Sequence, residues 1–144
     1  MSSVQKQLLL SFSAEQMFDL VDDIESYASF LPWCGGTQVE RLSAAEVHAA
    51  ITIAFRGLKQ DFSTRNLQKR PTEIRLELKE GPFANLRGLW QFKALAKDAC
   101  KVNFELHYEF SSRLLGLAIG PVFDQIAKGF VDAFVLEAER RYET

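Results

Sequence analysis

Apolar and polar residues alternate along most of this chain, and the period of alternation changes three times. Residues 3–11 read as a first strand, with Val4, Leu8 and Leu10 on one face. A helix start follows. Ser13 at N-cap and Gln16 at N3 form a capping box, and Phe12 and Met17 fall where a hydrophobic staple sits. That helix is expected to run to about Asp22. A second short one carries Ile24, Tyr27 and Phe30 and stops at Leu31-Pro32, because proline disfavours a helical residue before it.

From Thr37 the period is two. Val47, Ala49, Ile51, Ile53 and Phe55 alternate with His48, Ala50, Thr52, Ala54 and Arg56 up to Gly57. Residues 59–69 form the next strand, with Phe62 and Thr64 on one side. Ile74, Leu76 and Leu78 mark another between turns at Arg70-Pro71 and Gly81-Pro82. Trp90, Phe92 and Ala94 share one face of the next. In the last strand Val102, Phe104, Leu106, Tyr108 and Phe110 are all apolar and the residues between them all polar, which predicts a half-buried antiparallel strand. After Ser112 the period becomes that of a helix. Leu115, Ile119, Val122, Phe123, Ile126, Phe130, Ala133 and Phe134 form the apolar stripe, and Asp124, Lys128 and Asp132 lie on an expected solvated face. Pro121 predicts a kink there, or a short helix followed by a long one.

The order β, α, α, six strands and one long helix predicts an α+β domain over residues 1–144. A curved antiparallel sheet of about seven strands, six of them in a meander, wraps the C-terminal helix, the only segment long and apolar enough to cover it. Composition sharpens this picture in one respect. Twelve Phe, three Tyr and two Trp in 144 residues give unusual aromatic volume between sheet and helix. The net charge of −2 and pI near 5.7 argue against DNA binding, which requires many cations against phosphates. Cys34 and Cys100 form no CxxC and read as reduced thiols. The polar N-terminus lacks the apolar run of a signal peptide, so the expected location is the cytoplasm.

Reactive chemistry is sparse in the sequence. The two histidines, His48 and His107, fall on polar strand faces without the partners of a catalytic triad or a metal site. Neither a phosphate loop nor a GxGxxG occurs. No enzyme, metal or required cofactor is expected.

Phe12-Ser13-Ala14-Glu15-Gln16-Met17-Phe18-Asp19-Leu20-Val21, then Tyr27, Phe30-Leu31-Pro32 and Cys34, resemble the opening of the coenzyme-Q-binding family of START-like proteins, including its bacterial ribosome association toxins. Gly81-Pro82-Phe83, Trp90-Gln91-Phe92 and Ala133-Phe134 also fit, so the resemblance spans nearly the whole chain. This chain departs from it at Glu137, where an Arg is expected, and at Trp33, where a small residue is expected.

The resemblance implies a helix-grip fold with an apolar cavity. It implies a polyprenyl quinone (ubiquinone or a similar lipid) as ligand, in support of respiratory electron transfer. It also implies an alternative, binding the large ribosomal subunit and blocking subunit association. For the first role, Phe55, Trp90, Phe92, Phe104, Tyr108, Phe123, Ile126 and Phe130 are expected to line the slot, with the Tyr108 hydroxyl or the Trp90 indole facing a quinone oxygen. Phe30, Leu31, Pro32, Trp33 and Phe83 sit on apolar turns expected to act as a gate, with at most transient contact to the inner membrane. For the second role, Lys69 and Arg70 are the candidate ribosome contacts.

Overall fold

Residues 2–143 are described by a computed structural model. The chain forms β1 (Ser2–Leu10), α1 (Ala14–Asp22), a 3-10 turn (Ile24–Ser26), α2 (Tyr27–Phe30), then β2 (Cys34–Arg41), β3 (Glu46–Phe55), β4 (Leu58–Lys69), β5 (Glu73–Glu80), β6 (Phe83–Ala96), β7 (Ala99–Phe110) and α3 (Arg113–Tyr142). The strands make one antiparallel sheet in the order β1-β7-β6-β5-β4-β3-β2. The last six form the expected meander. β1 lies beside β7, with Val4 opposite Leu106, so α1 and α2 carry the chain from one sheet edge to the other.

Local signals act where the sequence places them. The Ser13 hydroxyl accepts from the Gln16 N–H at 3.0 Å, and the Gln16 side chain accepts from the Ser13 N–H at 2.9 Å. Phe12 and Met17 are both buried beside them. At the β3–β4 hairpin Arg56 and Gly57 both take positive φ, 52° and 82°. That pair matches the twist of the flanking strands.

Two expectations about the elements change. β6 begins at Phe83, well before Trp90, and its last four residues, from Lys93 to Ala96, Ala94 among them, are exposed. α3 runs unbroken through Pro121 for 30 residues. The N–H that proline lacks would have bonded the Leu117 carbonyl. Leu117 is on the exposed face of the helix, so solvent reaches that position and the helix continues. By length and apolarity α3 passes the test for a membrane-crossing helix. Here its apolar face, from Ile119 to Ala138, is buried against the sheet and α1.

The far end of α3 is locked by charge. Glu137 is 4% exposed, on the same buried face of α3 as Phe134 and Ala138. Arg140 reaches it at 2.7 Å and Arg141 at 2.7 Å, and Arg141 also bonds Asp23 at 2.9 Å. The guanidinium of Arg141 lies over the Phe30 ring. A buried carboxylate survives only when so paired. Glu137 thus belongs to a contact that ties α3 to the α1–α2 corner.

Candidate functional site

α3 crosses the concave face of the sheet, and the two do not close completely. A cavity of about 70 Å³ remains between them, room for a few waters. α3 supplies Phe123, Ile126, Ala127 and Phe130 to its wall. Trp90 and Phe104, neighbours across β6 and β7, form its floor, with ring centroids 4.5 Å apart. Phe130 closes over them at 5.8 and 5.5 Å, and Trp33 meets Phe130 from the α2 side at 5.9 Å. Gly88 also shapes the wall. A Cβ there would lie 3.1 Å from Leu76 and 3.3 Å from Leu106, two side chains that line the cavity.

Five of the eight residues expected at the slot stand in this wall: Trp90, Phe104, Phe123, Ile126 and Phe130. The other three do not. Phe92 is buried behind Trp90, stacked on it and edge-on to Phe18. Phe55 is the last residue of β3, half-buried beside the hairpin turn with Arg56 over its ring. Tyr108 is buried, but its hydroxyl donates to Asp124, so it is not free to meet a ligand oxygen. Burial and then this carboxylate raise the Tyr108 pKa. Asp124 is accordingly a hydrogen-bond partner and not merely part of a solvated face.

The residues expected at a gate are differently placed. Leu31 and Phe83 are buried, and Trp33 is part of the cavity wall. Phe30 packs on Tyr27 and Phe134, and Pro32 is exposed. Lys69 and Arg70 are both exposed, with Arg70 gripped by Asp19 through two contacts of 2.9 Å. His48 lies between Glu46 and Lys79, outside the cavity wall.

One side of the cavity is polar, and sequence reasoning missed it. Thr64, Asn66 and Gln68 of β4 all face inward and are buried. Period two from Phe62 reaches these positions. Asn and Gln read as solvent types, however, so the apolar pattern marks the inward face only as far as Thr64. The Thr64 hydroxyl donates to Asn66 Oδ1 at 2.8 Å. Gln68 Nε2 donates to Asp22 Oδ1 at 3.0 Å, and Arg41 holds the same carboxylate at 3.1 Å. Burial raises the Asp22 pKa, and Arg41 works against that. Gln68 Oε1 is buried and, among the described residues, accepts nothing. An acceptor in that state costs about 1–3 kcal/mol.

Residues 10–135 match the family model described as polyketide cyclase / dehydrase and lipid transport. The chain belongs to that family. Among relatives of this polyketide cyclase family member, the Ribosome association toxin RatA of Pseudomonas aeruginosa is 40% identical over 139 residues, 96% of each chain. The mitochondrial Coenzyme Q-binding protein COQ10 homolog B of Xenopus laevis is 28% identical over 138 residues, covering 93% of this chain and 57% of that protein. Solved structures confirm the START-like fold. A START superfamily protein from Mycobacterium smegmatis superposes with TM-score 0.78 at 17% identity over 96% of this chain and 97% of the other. The Zhui aromatase/cyclase of a Streptomyces species superposes with TM-score 0.82 at 14% identity over 99% and 96%. The named sequence relatives are toxins or a binding protein, while the fold is shared with enzymes.

Proposed function

We propose that this protein binds an apolar small molecule with one polar end, of the prenylated quinone class, between the sheet and α3. The observation that carries this reading is the cavity itself, an aromatic chamber with a polar side formed by β4 and Asp22. A ring with oxygen substituents matches the polar side, and an isoprenoid tail matches aromatic walls. The likeness to a coenzyme Q-binding protein supports the same class. At about 70 Å³ the chamber admits such a ring only if its wall moves. Phe130 and Trp33 are side chains whose shift would widen it. No step needs a nucleophile or a general base, so the role is sequestration and delivery of the quinone pool's members in the cytoplasm or at the membrane surface.

Native mass spectrometry with lipid extraction tests this on protein purified gently from a quinone-producing host. A prenyl lipid at near-stoichiometric amount is the expected result. An empty protein that takes up no added quinone would remove the reading.

A second reading is favoured by a separate observation, the 40% identity to a ribosome association toxin over nearly the full length of both chains. In it the protein docks on the large ribosomal subunit and hinders subunit joining, with a surface outside the cavity. Sucrose-gradient profiles test it. Added protein should shift joined ribosomes toward free subunits, and Lys69→Glu with Arg70→Glu should weaken that shift if the β4–β5 turn is the contact. Unchanged profiles with the unaltered protein would dismiss this role.

A further inference from the structure

Taking the cavity as a site for a prenylated ring, as proposed above, the orientation of one amide decides which form of the ring it takes. Asp22 is the carboxylate that Arg41 holds, and as such it accepts. Its Oδ1 receives Arg41 and Gln68, and both oxygens lie within reach of the same guanidinium. Turning the Gln68 amide over would set its oxygen against a carboxylate oxygen, so Nε2 must face Asp22. Gln68 is 8% exposed, and its Oε1 is left as a buried acceptor with no protein donor among the described residues. Thr64 cannot relieve it, because its hydroxyl proton goes to Asn66.

A quinone oxygen only accepts hydrogen bonds. A hydroquinone or phenol oxygen both accepts and donates. Donors on the polar side, such as the Asn66 amide, serve either form. Gln68 Oε1 serves only a ligand that carries an O–H. We infer that the cavity is selective for the aromatic hydroxyl form of a prenylated ring, a hydroquinone or a prenylphenol, over the oxidised quinone, with Gln68 as the specificity-determining residue.

The test compares three short-tailed probes under anaerobic conditions: a dimethoxy-methyl prenyl hydroquinone, its quinone, and a prenylphenol. Titration calorimetry gives the affinities, and quenching of the Trp33 and Trp90 fluorescence gives a second readout. The hydroquinone should bind about five- to tenfold more tightly than the quinone, the worth of one hydrogen bond. Gln68→Leu, of similar volume, should bring the two within about twofold while still binding both. Gln68→Met serves if the leucine variant melts early. A prenylphenol that binds like the hydroquinone supports the inference and makes one hydroxyl sufficient. A prenylphenol that binds only as well as the quinone overturns it, because one hydroxyl should be enough for one acceptor. Equal or tighter quinone binding by the unaltered protein overturns the selectivity while the quinone-class reading stands. The inference is also overturned if a folded Gln68→Leu keeps the preference. If no probe binds, the parent reading falls and takes this one with it.

Discussion

Glu137 illustrates how one side chain acquires its role from its surroundings. It is an acid on the buried face of α3, and two arginines from the following turn hold it there. Hydrogen bonds from Arg140 and then Arg141 outweigh the opposing effect of burial and bring its pKa down to about 2, from an ordinary 4.5. A depressed carboxyl pKa stabilises the fold fully above the unfolded value, and that contribution disappears as pH falls from 4.5 toward 2. Glu137→Gln should therefore cost about 1.5–3 kcal/mol at neutral pH, because two guanidinium contacts lose their charge. Urea melts at pH 7 and pH 3 check this, and the gap between variant and parent should narrow at the lower pH. The arginine expected at 137 would face Arg140 and Arg141 with a like charge, so the acid here is matched to its neighbours.

At the scale of elements, each periodic signal produced the element it predicts, though β6 starts earlier than its pattern shows and α3 is one helix through Pro121 where a short and a long one were the alternative to a kink. A proline inside a helix is costly when its missing bond leaves a carbonyl dry. At Leu117 that carbonyl belongs to the exposed face, so helix α3 pays little and stays in one piece. Pro121→Ala restores an N–H without removing any buried side chain, since Pro121 is itself exposed. It should raise stability by no more than about 1 kcal/mol, read as a higher melting temperature with unchanged helix content by circular dichroism, because the Leu117 carbonyl is already solvated and alanine loosens the unfolded chain. A fall in melting temperature would mean that the fixed proline geometry is required by the packing of Ile119 and Phe123.

For the whole molecule, the question is whether the cavity is a defect of packing or a binding site. Ala127 lies on α3 in the cavity wall and is nearly fully buried. Ala127→Leu places three further carbons toward a space of about 70 Å³. Such a change usually moves stability by no more than about 1–3 kcal/mol. The fold should survive, and co-purifying prenyl lipid should be lost in native mass spectra. Retained lipid in a folded Ala127→Leu protein would place the ligand elsewhere. The same variant separates the two functional readings, because a ribosome contact on the outer surface should be indifferent to it.

The chain's own pattern determined the strand and helix periods, the capping box at Ser13, the meander and the one long helix that covers it. These rest on contacts between residues a few positions apart, and on the rule that an apolar face must be buried. The tertiary structure alone decided which polar residues go inside. Gln68 faces the cavity because Asp22, 46 residues away, takes its amide. Arg141 turns inward partly because Asp23, 118 residues away, meets it there. The Tyr108 hydroxyl is taken by Asp124 on the facing helix. Phe55 and Phe92 share the apolar period of their strands with the wall residues, yet only α3's path across the sheet sets which positions border the space. Binary pattern fixes the face of an element; the partners that face it, and the space left between them, come from chain segments that no local period connects.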